Sequence, residues 1–139
     1  MIVVDTNVIA YFYLHSVKTE SAQALHRLDH EWGVPILWRS EFRSILTMYI
    51  RKEILDLNQS LEIFELAQNR FHGLEYSVDT ASILQLASHS DCSAYDCEFV
   101  SLAKDVGAPL VTEDQQVLDA FPEIAFSIGQ YLKMNEEEL

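Results

Sequence analysis

Residues 1–12 read MIVVDTNVIAYF, and this stretch decides the fold. Ile2, Val3 and Val4 make a short, mostly β-branched apolar run, the composition of a buried strand. The run stops at Asp5. Thr6 and Asn7 follow, and apolar residues resume at Val8 and Ile9 as a helix begins. A strand that delivers a carboxylate to its own end, directly before a helix, raises the question of what that carboxylate holds.

The alternation continues down the chain. Strand candidates are Ile2–Asp5, Pro35–Trp38, Leu74–Val78, Leu110–Thr112 and Ile124–Ser127. Between them lie helical spacings. Ser21–Asp29 carries Ala22, Leu25 and Leu28. A second, from about Ser40, places Phe42, Ile45, Leu46 and Tyr49 at i, i+3, i+4 and i+7. A third, from about Gln59, carries Leu61, Phe64, Leu66 and Ala67, and Thr80–His89 holds Ile83, Leu84 and Ala87. Ser93–Val106 is the clearest, with Tyr95, Phe99, Leu102, Ala103 and Val106 as one apolar stripe and Gly107 as its C-terminal stop. Pro35 and Pro109 stand at the threshold of strands, where a missing amide donor is tolerated. Strands separated by helices predict an α/β fold, a parallel sheet of four to five strands flanked by helices on both faces. Residues 1–133 read as a single domain and 134–139 as an acidic, solvated tail.

Composition sets limits on function. Twenty-two acidic residues against nine basic ones give a net charge of −13, which argues against a protein that coats nucleic acid nonspecifically. An acid excess suits divalent cations or a basic partner, and it also simply keeps a chain in solution. Cys92 and Cys97 are five apart, neither a redox CxxC nor a zinc pair, and helical geometry would turn them apart. They read as free thiols, which suits a cytoplasmic location. No apolar segment reaches membrane-spanning length. The four glycines are well separated, so neither GxGxxG nor a Walker loop is present.

In a parallel sheet of this kind, ligands bind beyond the carboxyl ends of the strands. Asp5 is expected at that rim. Glu41 follows the second strand by a short turn, Asp96 lies in the first turn of the Ser93–Val106 helix, and Asp114 follows the strand Leu110–Thr112. Two carboxylates about 4 Å apart repel by roughly 1–4 kcal/mol at dielectrics between water and the protein surface. Gathering four therefore makes sense with cations, and oxygen-only ligation selects hard ions, Mg2+ or Mn2+. Such ions serve phosphodiester hydrolysis by positioning the phosphate, activating water and stabilising the leaving oxygen. Each acid also has a plainer use, since carboxylates favour helix starts. Ser93 and Asp96 read equally as a capping pair, Glu41 as a dipole-favoured first turn, and Asp114 as a cap.

These residues also resemble a known pattern. IVVDTNVIAYF resembles the opening of PIN-domain ribonucleases, SAYDCEFVSLA their later Tyr-Asp segment, and PLVTEDQQVL their strand ending in Thr-x-Asp. With Glu41 between them, the set occurs in order over essentially the whole chain. The size resembles that of VapC-type toxins from toxin–antitoxin pairs. The resemblance implies a PIN-like sheet and a metal-dependent endoribonuclease that uses Mg2+ or Mn2+. It makes Asp5, Glu41, Asp96 and Asp114 the metal-binding acids and Thr6 and Thr112 the hydroxyls that orient them, with Asn7 in support. Glu113, beside Asp114, competes for the same role, and position favours Asp114.

Arg39 and Arg43 bracket Glu41 and are the candidates for phosphate contacts. His26 and His30, four apart, have zinc-compatible spacing but lie with Asp29 and Glu31, as a polar face does. Tyr11, Phe12 and Tyr13 cannot all be buried on one helix face. The surplus ring packs under another helix, lines an antitoxin groove or forms a homodimer face. The resemblance implies RNA as substrate and an antitoxin protein as partner, whose basic side chain blocks the acids. Two alternatives stand beside this reading. One is a PIN-fold binding module that no longer cleaves. The other is an aspartate-based phosphatase acting through Asp5, which wants a second Asp where Asn7 stands.

Overall fold

The structure is a computed structural model and describes residues 1–136. The last residues of the expected acidic tail, 137–139, lie outside that range. Among the described residues, five strands form one parallel sheet in the order β3-β2-β1-β4-β5. The strands are β1 (Ile2–Val4), β2 (Trp32–Pro35), β3 (Glu75–Tyr76), β4 (Leu110–Val111) and β5 (Ala125–Phe126). The helices are α1 (Thr6–Tyr13), α2 (Thr19–Leu28), α3 (Trp38–Arg51), α4 (Leu57–Arg70), α5 (Thr80–Ser88), α6 (Ala94–Val106), α7 (Gln115–Ala120) and α8 (Ile128–Met134).

The sheet is central because β1 is apolar on both sides. Ile2 and Val4 enter one core with Trp32, Val34, Val111, Trp38, Phe42 and Phe71. Val3 enters the other with Leu110, Ala125, Cys97, Phe99, Val100 and Leu102. Side chains alternate across a strand, so three consecutive apolar residues must meet two layers of helices. Helices α1, α2, α3, α4 and α8 supply the first layer, and α6 and α7 the second, with α5 packed on α6. The expected architecture is therefore the observed one.

The chain moves outward from β1 through β2 to β3, then returns to place β4 on the other side of β1. Val3 pairs with Gly33 on one flank and Leu110 on the other. The order reverses between β1 and β4, and at such a reversal the connections leave in opposite directions and open a crevice at the strands' carboxyl ends.

Three local expectations are corrected. The second strand is Trp32–Pro35 and not Pro35–Trp38. The run Pro35-Ile36-Leu37-Trp38 looks extended by composition, but Leu37 is already in right-handed helical conformation and Trp38 begins α3. Tyr95 does not join the buried stripe of α6 and is 63% exposed. Cys92 precedes the helix cap Ser93, so the two cysteines are not turned apart by one helix. Both are buried, free thiols in the same core.

The aromatic triplet leaves no ring standing free. Tyr11, Phe12 and Tyr13 are all half-buried against the first core. Phe12 meets Trp32 edge-on at 5.4 Å, and Arg70 lies over the Phe12 ring while donating to the Tyr13 hydroxyl at 2.7 Å. His26 belongs to this aromatic cluster and accepts from Arg70 at 2.7 Å, with burial and the Arg70 charge holding its pKa down. No helix among the described residues is long and apolar enough to cross a membrane.

Candidate active site

A cleft of about 250 Å3 opens at the reversal point, and Asp5, Glu41, Asp96 and Asp114 all line it together with Thr6, Asn7 and Thr112. Four segments far apart in sequence supply these acids. Asp5 follows β1, Asp114 follows β4, Glu41 lies in the first turn of α3 and Asp96 in the first turn of α6. No lysine, arginine or histidine lines the cleft.

The acids at the strand ends are also helix caps. Asp5 Oδ1 accepts from the amides of Asn7 at 2.8 Å and Val8 at 3.3 Å, closing the start of α1. Asp114 Oδ1 accepts from the amides of Gln116 at 2.9 Å and Val117 at 3.4 Å, closing α7. Capping satisfies amides that a helix start leaves without partners. It uses one carboxylate oxygen on each residue, so the cap reading and the cleft reading hold together. In α6, the Ser93 hydroxyl accepts from the Asp96 amide at 3.0 Å and leaves the Asp96 side chain at the cleft wall.

Two buried threonines aim the carboxylates. Thr6 donates to Glu41 Oε1 at 2.7 Å, joining α1 to α3 across 35 positions. Thr112, fully buried, donates to Asp5 Oδ2 and accepts the Asp114 amide at 3.0 Å. One hydroxyl thus fixes both strand-end acids across the crevice. Asn7 is exposed on the rim and contributes its backbone amide to Asp5.

The electrostatics follow from burial. Desolvation pushes the Asp5 pKa from 3.8 up to about 6, and the Asp114 charge adds to it, against hydrogen bonds from Thr112, Val8 and Asn7. Burial also raises the Glu41 pKa, opposed by the Thr6 bond and reinforced by the charges of Asp5, Asp96 and Glu98. Glu98, half-buried on α6 and itself raised by burial, is a neighbour that the sequence reading missed. Its spacing of two from Asp96 gave no reason to place it near Glu41.

Among the described residues, no three His, Cys, Asp or Glu side chains stand close enough to hold one ion between them. The donor set still fits a hard cation. It is all oxygen, it lacks a positive neighbour, and Mg2+ ordinarily keeps several waters and takes only one or two carboxylates from the protein.

The ambiguity at positions 113 and 114 resolves by direction. Glu113 turns away from the cleft: its Oε1 accepts from the Ile128 amide at 2.9 Å and its Oε2 pairs with Lys18 at 3.4 Å. Arg39 and Arg43 are corrected as neighbours of the acids. Arg39 is held by Glu75 through Nε at 2.7 Å and Nη2 at 2.6 Å, and Arg43 lies over the Phe64 ring at 5.1 Å. Neither lines the cleft. Ser44 and Ile45, one turn beyond Glu41 on α3, do line it and were not singled out from the sequence.

Comparison with known proteins places these observations. The PIN domain, as a family, matches residues 2–126. Ribonuclease VapC3 of Pyrobaculum aerophilum is 28% identical over 131 residues, covering 87% of this chain and 95% of that protein. Among solved structures, PAE2754 from Pyrobaculum aerophilum superposes with a TM-score of 0.75 at 16% identity, covering 95% of this chain and 93% of its own. FitAcB from Neisseria gonorrhoeae gives a TM-score of 0.73 at 19% identity, covering 93% of this chain and 99% of its own. FitAB bound to an IR36 DNA fragment gives 0.73 at 20%, covering 92% and 95%. At these identities the superpositions speak to the fold.

Proposed function

This chain belongs to the PIN-domain family, and on that footing we propose that it is a divalent-metal-dependent endoribonuclease, the toxin of a toxin–antitoxin pair. The observation that carries the reading is the gathering of Asp5, Glu41, Asp96 and Asp114 in one cleft free of basic side chains. The relative named Ribonuclease VapC3 supports RNA as the substrate.

Asp5, Glu41, Asp96 and Asp114 would hold Mg2+ or Mn2+, one or two of them directly and the others through its waters. When bound, the cation supplies charge neutralisation for the phosphodiester and lowers the pKa of water for attack at phosphorus. The chain's own residues prepare the cleft. Thr112 holds Asp5 with one oxygen turned from the cap, Thr6 fixes Glu41, and the Thr112 hydroxyl sets Asp114 through its amide. Burial raises the Asp5 and Glu41 pKa values without metal, so a cation finds carboxylates whose charge is poorly compensated by the protein. The same uncompensated charge suits a basic antitoxin side chain, which would occupy the cleft in the cation's place.

The test is cleavage of single-stranded RNA with Mn2+, with Asp5→Asn as control. The wild type cleaves and the variant does not. Equal cleavage by both would overturn the assignment of the cleft, and no cleavage by either would favour a binding module that retains the fold alone.

A further inference from the structure

The cleft does not end at Ser44 and Ile45. Both residues also line a second, open depression of about 610 Å3, whose other walls are Thr47, Met48, Arg51 and Lys52. Glu41, Ser44, Met48 and Arg51 follow one another at spacings of three and four along α3, and Ile45 and Lys52 continue the same stripe. Such spacings keep residues on one helix face. Ser44, Met48, Arg51 and Lys52 are exposed.

The charges along this stripe are asymmetric. Its upper end is the acid cleft, and its lower end carries two adjacent cations that make no ion pair among the described residues. Of the other seven cations, four are committed: Lys18 to Glu113, Arg39 to Glu75, Arg43 to the Phe64 ring and Arg70 to the Tyr13–His26 cluster. Arg27, Lys104 and Lys133 also lack an ion pair among the described residues, but none of them lines the cleft or the depression that continues it. A chain of net charge −13 repels a polyanion, so a nucleic-acid strand needs a local cationic foothold outside the cleft. At a 1.5 Å rise per residue, the ten positions from Glu41 to Arg51 span roughly 15 Å, within reach of a few nucleotides of extended strand.

We propose that this face of α3 is the track for the RNA flanking the scissile phosphodiester, with Arg51 and Lys52 contacting its phosphates and Met48 offering an apolar platform between. The inference rests on the ribonuclease reading for the identity of the polyanion. Arg51 also lies in the last turn of α3, where a cation is favoured by the helix dipole whatever else it does. Stability alone therefore does not distinguish the two roles, and RNA affinity does.

The experiment uses the full chain carrying Asp5→Asn with a labelled single-stranded RNA of about ten nucleotides, read by fluorescence anisotropy in Mg2+. Adding R51Q and K52Q is expected to weaken binding about tenfold and to reduce the slope of log affinity against log salt by about one to two. The charge-matched control, K104Q with K133Q, is expected to stay within about twofold. Equal losses in both double variants would reduce the effect to general charge and overturn the track. An unchanged affinity and slope for R51Q with K52Q would also overturn it, and would leave an acidic protein segment as the occupant. Wild-type cleavage in Mn2+ is read separately. Its absence alongside the affinity loss overturns the nuclease reading while the RNA track stands.

Discussion

Thr112 donates its hydroxyl to Asp5 across the crevice between β4 and β1, a contact between residues 107 positions apart in sequence. That bond holds down a carboxylate that burial pushes up. Thr112→Val keeps the volume and removes the donor. We expect the Asp5 pKa to rise further above 6, the acid limb of the cleavage pH profile to move upward, and the fold to lose about 1–3 kcal/mol. The pH profile and urea denaturation read the two effects separately. A profile that does not move would show that Asp5 is oriented without the threonine.

The raised Asp5 pKa carries a stability prediction of definite sign. Its folded value of about 6 lies above the unfolded value of 3.8, so the native state binds the extra proton between them. Stability without metal therefore falls as pH rises from about 4 to 6, by an amount on the order of 3 kcal/mol for this group alone. Asp5→Asn removes that dependence and keeps the cap, because asparagine caps helices nearly as well as aspartate. In EDTA at pH 7 the variant should be at least as stable as the wild type. Denaturation curves at pH 4.5 and 7 for both proteins check the difference, which cancels the other titrating groups.

Metal binding should release protons in the same window. A cation prefers the ionised carboxylate, so at pH 6, where Asp5 is about half protonated, Mn2+ binding is expected to expel a fraction of a proton. Calorimetry in buffers of different ionisation enthalpy measures it. The release should shrink at pH 8 and fall in Asp5→Asn, the remainder coming from Glu41, whose pKa burial also raises.

Arg39 gives the opposite kind of prediction. Its fork is closed on Glu75, which also accepts from the Trp38 indole at 2.7 Å. Arg39→Gln should lower the melting temperature by a few degrees while leaving RNA affinity within about twofold. A tenfold loss of RNA affinity would return Arg39 to the phosphate contacts.

These contrasts show what the sequence makes legible. β1 and α6 are readable because each is a local apolar run with a clear stop, Asp5 after Ile-Val-Val and Gly107 after Val106, and Asp5 stands out because it closes a strand buried on both faces. The start of α3 is not readable. Its N-cap, Leu37, makes no side-chain cap bond, and the preceding apolar run mimics a strand. Helix α8 escaped notice although Ser127 and Gln130 form a capping box at its start, since its seven residues are too few to show a period. Arg39 misled because spacing places it near Glu41, whereas its destination, Glu75, is set by the pairing of β2 with β3. Pairings between distant segments leave little trace in one sequence.

The double employment of Asp5 and Asp114 has a consequence for descent. A single base change converts an aspartate codon into an asparagine codon, and at either position the helix keeps its closure. On the proposed nuclease reading, a lineage can therefore shed the chemistry in one step and go on producing the same shape. Silenced copies should then resemble working ones in every respect but one oxygen, replaced by an amide nitrogen.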